Sequence, residues 1–300
     1  MNTIYNFINR LLIFILLLLG IIISIFIFFS FSEKEILNSA LNKYNISTLF
    51  IGDSHIQTAI DDKILNNGIN ISQDAESYIF SFYKIKELLK NKSSIKKIYL
   101  GFSYNNLSST YDDYIFGKYS ESISSRYFFI LPYNLQVRFL KYNIKGLPAY
   151  LTKLLKTGQN NLLSEDKDYS FLGRYDNNFT SSKASKESIS KRIKFLFYQK
   201  QEKPVGFSEF NIFYLMQISD LCKKQNVELI MLNTPLHSHF KSKVPLSYIN
   251  RYNEIIKDNR LKLLDLSDFP LEDDSFTPDG DHLSEKGSII VSNYLKENNL

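Results

Sequence analysis

A chain of 300 residues, 44% hydrophobic and 22% charged, is long enough to bury a sizeable core and suits one α/β domain with additional segments. Its net charge of +5 comes from interspersed acids and bases with no nucleic-acid-binding motif, so nucleic acid is excluded as an expected partner. The one cysteine, Cys222, rules out an internal disulfide, and its apolar-faced helical setting reads as a buried thiol rather than a nucleophile.

Residues 1–10 end on Arg10 and precede an uncharged apolar run, 11–32, long enough to cross a bilayer as a helix. Glu33, Lys34 and Glu35 follow, so the positive-inside bias places the short N-terminus in the cytoplasm and the rest of the chain outside the membrane, in a periplasm or at a cell surface. A cleaved signal peptide is the rival, but the run exceeds the usual signal core and no small-x-small cleavage site follows it.

From residue 36 to 300 the pattern alternates. Strands are expected at 47–52, 68–72, 96–102, 227–233 and 261–266, and helices at 56–67, 75–90, 207–225, 247–258 and 284–298, which predicts a parallel sheet covered on both faces. A long insert at about 104–203 interrupts the alternation. A structureless loop of that length is improbable in a compact domain, so a helical subdomain or lid is expected. Its aromatics Tyr111, Tyr114, Phe116 and Tyr119 either stack on sugar rings or pack the lid on the core, and packing is the commoner use. Gly173-Arg174-Tyr175 reads as a holder of an anionic or carbonyl group, or as an ordinary turn. A polar tract runs from about Thr180 to Lys191.

Two short blocks carry chemistry. Gly52-Asp53-Ser54-His55 follows the first strand, so Ser54 projects from the carboxyl end of the sheet, where open α/β sheets place their ligands. A serine hydroxyl is a weak nucleophile until a base takes its proton. Asp279-Gly280-Asp281-His282-Leu283-Ser284, just before the last helix, supplies one. A spacing of three in a turn lets Asp279 reach one nitrogen of His282 and leaves the other for Ser54. Asp281 is the competing orienter, disfavoured because adjacent side chains diverge.

These blocks, in this order and at the two ends of one domain, resemble the SGNH or GDSL-like hydrolase superfamily. The resemblance implies a flavodoxin-like three-layer α/β/α sheet, a Ser54, His282 and Asp279 triad, and esterase or acyltransferase chemistry with no cofactor and no metal. The closing block, with Leu283 and Gly287, also resembles membrane-associated members that handle acyl groups on cell-envelope glycans. That implies an acylated glycan or other ester as substrate, with a membrane acyltransferase as a further partner. By the same resemblance the oxyanion would be bound by the Ser54 and Ser72 backbone N–H groups. Ser103 stands where the family has an asparagine, with Asn105 and Asn106 as its substitutes. The family's middle glycine and Gly-x-Asn-Asp block are replaced here by Asn70-Ile71-Ser72 and Gly101-Phe102-Ser103-Tyr104-Asn105-Asn106.

Two other readings compete. The four histidines, His55, His237, His239 and His282, fall at predicted strand ends or in the closing turn, and with Asp53 and Asp281 would offer metal ligands. No standard ligand spacing accompanies them. A non-catalytic envelope protein that keeps the fold and binds glycan or protein is the other. Ser54 then merely caps a helix.

Overall fold

The computed structural model describes residues 2–40, 46–91, 94–163, 171–178, 183–198 and 203–298. The first residues of the polar tract at Thr180 lie outside them. Five parallel strands, β1 (Thr48–Ile51), β2 (Gly68–Asn70), β3 (Lys97–Gly101), β4 (Glu228–Asn233) and β5 (Lys262–Asp265), form one sheet in the order β2-β1-β3-β4-β5. The parallel sheet is what the alternating pattern predicts, and its flavodoxin-like order is what the resemblance implies. The chain reverses its progress across the sheet between β1 and β3, and that switch point is where such sheets open a crevice.

The helices, in order, are α1 (Asn2–Ala40), α2 (Ser54–Ala59), α3 (Tyr78–Asn91), α4 (Thr110–Phe116), α5 (Ser120–Tyr127), α6 (Tyr133–Tyr142), α7 (Leu147–Leu163), α8 (Lys186–Phe197), α9 (Glu209–Lys224), α10 (Ser238–Lys241), α11 (Leu246–Asp258) and α12 (Glu285–Glu297). Strand periodicity of two sorts the core. Leu49, Ile51, Ile98, Leu100 and Met231 face one layer, with residues of α3, α9 and α11. Phe50, Tyr99 and Leu232 face the other, against Ile56 of α2 and Val291 and Leu295 of α12. Phe50 and Tyr99 stack across adjacent strands with ring centroids 4.8 Å apart. Cys222 is buried, and burial pushes its thiol up to about 12, so it is no thiolate nucleophile.

Two elements depart from expectation. The helix expected at 56–67 is only the six residues of α2, because Ile60 turns extended and Asp62 accepts the Asn70 N–H at 3.0 Å, tying the following turn to β2. The apolar run at 11–32 lies inside α1, which continues unbroken past Glu33 to Ala40. Among the described residues, α1 is the one helix long and apolar enough to cross a membrane, over Thr3–Leu37, by length and composition. Between Tyr104 and Tyr198 the described residues are mainly helical, α4 to α8 with short 3-10 turns. Tyr111 is buried there, while Tyr114, Phe116 and Tyr119 pack against the core cluster.

Candidate active site

Ser54 opens α2 and Asp53 caps it, accepting the His55 N–H at 3.0 Å, so the serine is not the cap. A close approach of two glycines makes room for this. A Cβ on Gly101 would fall 2.6 Å from the Ile56 side chain, so α2 can sit over the switch point only with glycine at the end of β3. The Ser54 hydroxyl lies 2.8 Å from His282 Nε2, and His282 Nδ1 lies 2.9 Å from Asp279 Oδ2. Asp279 Oδ1 accepts from the Thr277 hydroxyl at 2.5 Å and from the Asp281 and His282 N–H groups at 3.0 and 3.2 Å. Burial alone would raise the Asp279 pKa. The pairing with His282, with Arg192 and the Thr277 hydroxyl beside it, outweighs that and holds the carboxyl well below the usual carboxylate range. A fixed Asp279 carboxylate selects the His282 tautomer with hydrogen on Nδ1 and leaves Nε2 to accept a proton from Ser54.

A second imidazole lies against the first. His55 stacks on His282 with ring centroids 4.6 Å apart and planes inclined by 23°. Its Nδ1 is 2.9 Å from Asp53 Oδ1, and its Nε2 is 2.8 Å from Asp281 Oδ1, a charge contact rather than a well-aligned hydrogen bond. Arg192, on α8, donates from Nε to Asp281 Oδ2 at 2.7 Å. Tyr111 and Asn106 both donate to Asp53 Oδ2, Asn106 at 2.8 Å. Burial opposes charge on His55, but Asp281 and Asp53 overcome it and raise its pKa to about 10, so His55 is an imidazolium. Asp281 thus serves His55 and Arg192, not His282. The divergence of neighbouring side chains was the available signal, since an Asp281 that turns away from His282 must find a second cation.

The anticipated oxyanion donors have other hydrogen-bond partners. The Ser72 N–H is taken by Asn70 Oδ1 at 3.0 Å, and the Asn70 amide nitrogen in turn donates to the Ile56 and Ile60 carbonyls at the end of α2. The Ser103 N–H donates to Asn106 Oδ1 at 2.7 Å. The amide nitrogens of Asn105 and Asn106 both donate to the Tyr111 hydroxyl at 3.0 Å and face Asp53. Asp53 is the reason: a buried carboxylate must be met by donors, and these asparagines meet it. Of the four expected donors of this kind beside Ser54, Ser72, Asn105 and Asn106 are therefore engaged elsewhere, and the Ser103 N–H is too. The Ser54 N–H has no acceptor among the described residues.

His55, Asp281 and His282 bring ligand atoms within 4.8 Å of one another, the arrangement a metal would need. Yet both His55 nitrogens face carboxylates and both His282 nitrogens face Ser54 and Asp279, so no imidazole lone pair is free without displacing a partner. His237 pairs with Asp273 at 3.1 Å and accepts the His239 N–H, apart from that cluster. Gly173-Arg174-Tyr175 runs as a strap: the Arg174 N–H donates to the Ser72 carbonyl, and the Tyr175 hydroxyl meets Ser288 at 2.7 Å.

No family model and no curated protein matches the chain. Among solved structures it is similar to a protein of Streptococcus pneumonia provisionally named a platelet activating factor, at 11% identity and TM-score 0.43, covering 96% of this chain and 99% of that one. A GDSL-like lipase of Bacteroides thetaiotaomicron aligns at 10% identity and TM-score 0.40 over 92% of this chain and 100% of its own. A provisionally named acylhydrolase of Bacteroides fragilis aligns at 9% identity and TM-score 0.36, over 84% and 85%.

Proposed function

We propose that the chain is a membrane-anchored serine esterase or O-acyltransferase of the SGNH type. The observation that carries this is the unbroken line from the Ser54 hydroxyl through His282 to Asp279. Ser54 Oγ attacks an ester carbonyl as His282 Nε2 takes its proton, and Asp279 stabilises the imidazolium. His282 then gives that proton to the departing alcohol, leaving an acyl-serine. Water or a sugar hydroxyl attacks in the second half, with His282 again as base and then acid. A charged His55 stacked on His282 would oppose the charge His282 takes up. Asp53 and Asp281 offset that and leave His55 as a flat support for the base.

Oxyanion stabilisation is the weak part. The Ser54 N–H is available, whereas each missing donor costs about 3–4 kcal/mol of transition-state stabilisation. This favours slow turnover of simple esters and a requirement for a substrate that draws the Ser72 N–H away from Asn70. By the resemblance of its closing block, we extend the reading to small acyl groups on an envelope polysaccharide. In this reading the domain lies outside the membrane that α1 crosses, and a membrane acyltransferase is the donor partner.

The engaged donors also favour a second reading, a binding protein on the same fold. Hydrolysis of p-nitrophenyl acetate by the full chain in detergent separates the two. The first reading expects turnover and fluorophosphonate labelling, both falling by about 10³-fold or more in folded Ser54→Ala and His282→Ala. A wild type that neither turns over nor labels overturns it in favour of binding.

A further inference from the structure

Residues 171–178 belong to the insert and lie across three separate blocks of the site. Phe171 and Leu172 are buried and anchor the start of the segment in the core. Gly173 follows with φ of +74°, and a Cβ there would collide with the Ser72 carbonyl oxygen, so only glycine lets the chain pass this close to the loop after β2. The Arg174 N–H donates to that same carbonyl at 3.1 Å, and the Asp176 N–H donates to the Gln57 carbonyl of α2 at 3.3 Å.

Asn177 then bonds two blocks at once. Its side-chain nitrogen donates to the Thr58 carbonyl at 2.9 Å and to the Leu283 carbonyl at 3.0 Å. A primary amide has two hydrogens on nitrogen, and here each has its own acceptor. Both acceptors matter by their place in the chain. Thr58 is in the last turn of the helix that Ser54 opens, and its hydroxyl donates to the Ser54 carbonyl at 2.9 Å. Leu283 directly follows His282. The carbonyls of a last helical turn have no partner within the helix and need a donor from outside. The insert supplies that donor to α2 and shares it with the block that carries the base.

The Ser54–His282 and His55–Asp281 contacts also join these blocks, but through side chains, and His282 changes charge in each turnover. Asn177 joins two backbone carbonyls through a neutral group, so it sets the spacing of nucleophile and base whatever the charge on His282. The packing of α2 on α12 does not depend on it. Ile56 meets Val291 and Leu295, and the Asp61 N–H donates to the Ser292 hydroxyl at 2.9 Å. Loss of the Asn177 amide therefore loosens the spacing of Ser54 and His282 without removing the layer that carries them.

We propose that Asn177 is a positioning residue for the Ser54–His282 pair, through which the insert braces the site. The proposal rests on the reading of the chain as a serine enzyme.

The test measures kcat and KM for p-nitrophenyl acetate, the rate of fluorophosphonate labelling and the melting temperature of the full chain in detergent. Asn177→Asp keeps the shape of the side chain and removes both donors, and Asn177→Ala removes the group. The control is Asn259→Asp. Asn259 likewise donates to a carbonyl in the last turn of a helix, that of Ile255 in α11 at 2.9 Å, but at the amino end of β5, away from Ser54. A misplacement of about 1 Å between reacting groups can cost on the order of 10²-fold in rate. The proposal expects kcat and labelling to fall about 10- to 100-fold in both Asn177 variants with KM changed less than about threefold, and Asn259→Asp to lower the melting temperature comparably while keeping kcat. Wild-type kcat in the Asn177 variants overturns it. A matching loss of kcat in Asn259→Asp overturns it too, since rate then merely follows stability, and a change confined to KM overturns it in favour of a substrate contact. Failure of both Asn177 variants to melt cooperatively overturns it in favour of a purely structural role. A wild type that neither turns over nor labels overturns the serine-enzyme reading and this proposal with it.

Discussion

Asp281 and His282 are adjacent in sequence and serve different imidazoles, and this separation gives the site its pH signature. His55 carries two carboxylate partners in the fold and none when unfolded, so its pKa rises from the ordinary histidine value of 6.5 to about 10. A raised pKa means stability that is fully present below pH 6.5 and is lost as pH climbs through about 10. The melting temperature of the full chain in detergent is expected to fall across that window, and His55→Gln to flatten the fall while lowering stability throughout. An imidazolium nitrogen signal from one of the four histidines at pH 8 checks the charge directly; neutral rings for all four refute it. At this scale the line from Ser54 to Asp279 is legible in sequence, because Ser54 follows a strand end and Asp279 and His282 share one short block before the last helix. The oxyanion donors are not. Asn105 and Asn106 are drawn to Asp53 by the burial of a carboxylate that spacing does not reveal, and the Ser72 N–H is taken by the side chain of its near neighbour Asn70.

Elements are held by a comparable buried charge. Lys84 of α3 reaches Glu76 at 2.7 Å and the Ile71 carbonyl at 2.5 Å, while Ser81 and Tyr127 donate to the same carboxylate at 2.7 and 3.0 Å. Both side chains are fully buried, and burial raises the Glu76 pKa and lowers that of Lys84. The pair ties the loop after β2 to α3 and, through Tyr127, to α5 of the insert. Lys84→Met strands Glu76 and is expected to cost about 3–5 kcal/mol, whereas adding Glu76→Leu recovers most of it, since replacing both charges by apolar groups is often neutral. Denaturant unfolding measures both. A single variant no worse than the double means the pair carries no charge in the fold. Strand positions are legible because β1, β3 and β4 alternate between two apolar layers, whereas the sheet order comes through the resemblance alone. The helix expected at 56–67 overshoots because the Asp62 contact with Asn70 is a tertiary one.

For the whole molecule, the sequence marks a boundary after residue 32 because charge appears there, but the packing boundary lies earlier. Phe29 and Leu37 are buried, Phe26 is partly so, and the Phe128 and Phe129 rings lean on them. A fragment of residues 36–300 uncovers those rings; one of residues 24–300 keeps them covered. Burying one phenylalanine is worth about 1.5–3 kcal/mol. Glu33 works the other way, since its Oε2 is buried with no partner among the described residues, so the gain rests mainly on Phe29. The longer fragment is expected to melt several degrees higher, at about 2–4 °C per kcal/mol for a chain of this size, and to stay monomeric where the shorter one aggregates. Phe29→Ala in the full chain should reproduce part of that loss. Equal melting temperatures for the two fragments would mean that α1 only tethers the domain. Unequal ones make its last turns part of the domain core, with Phe29 and Glu33 as their contacts to the insert.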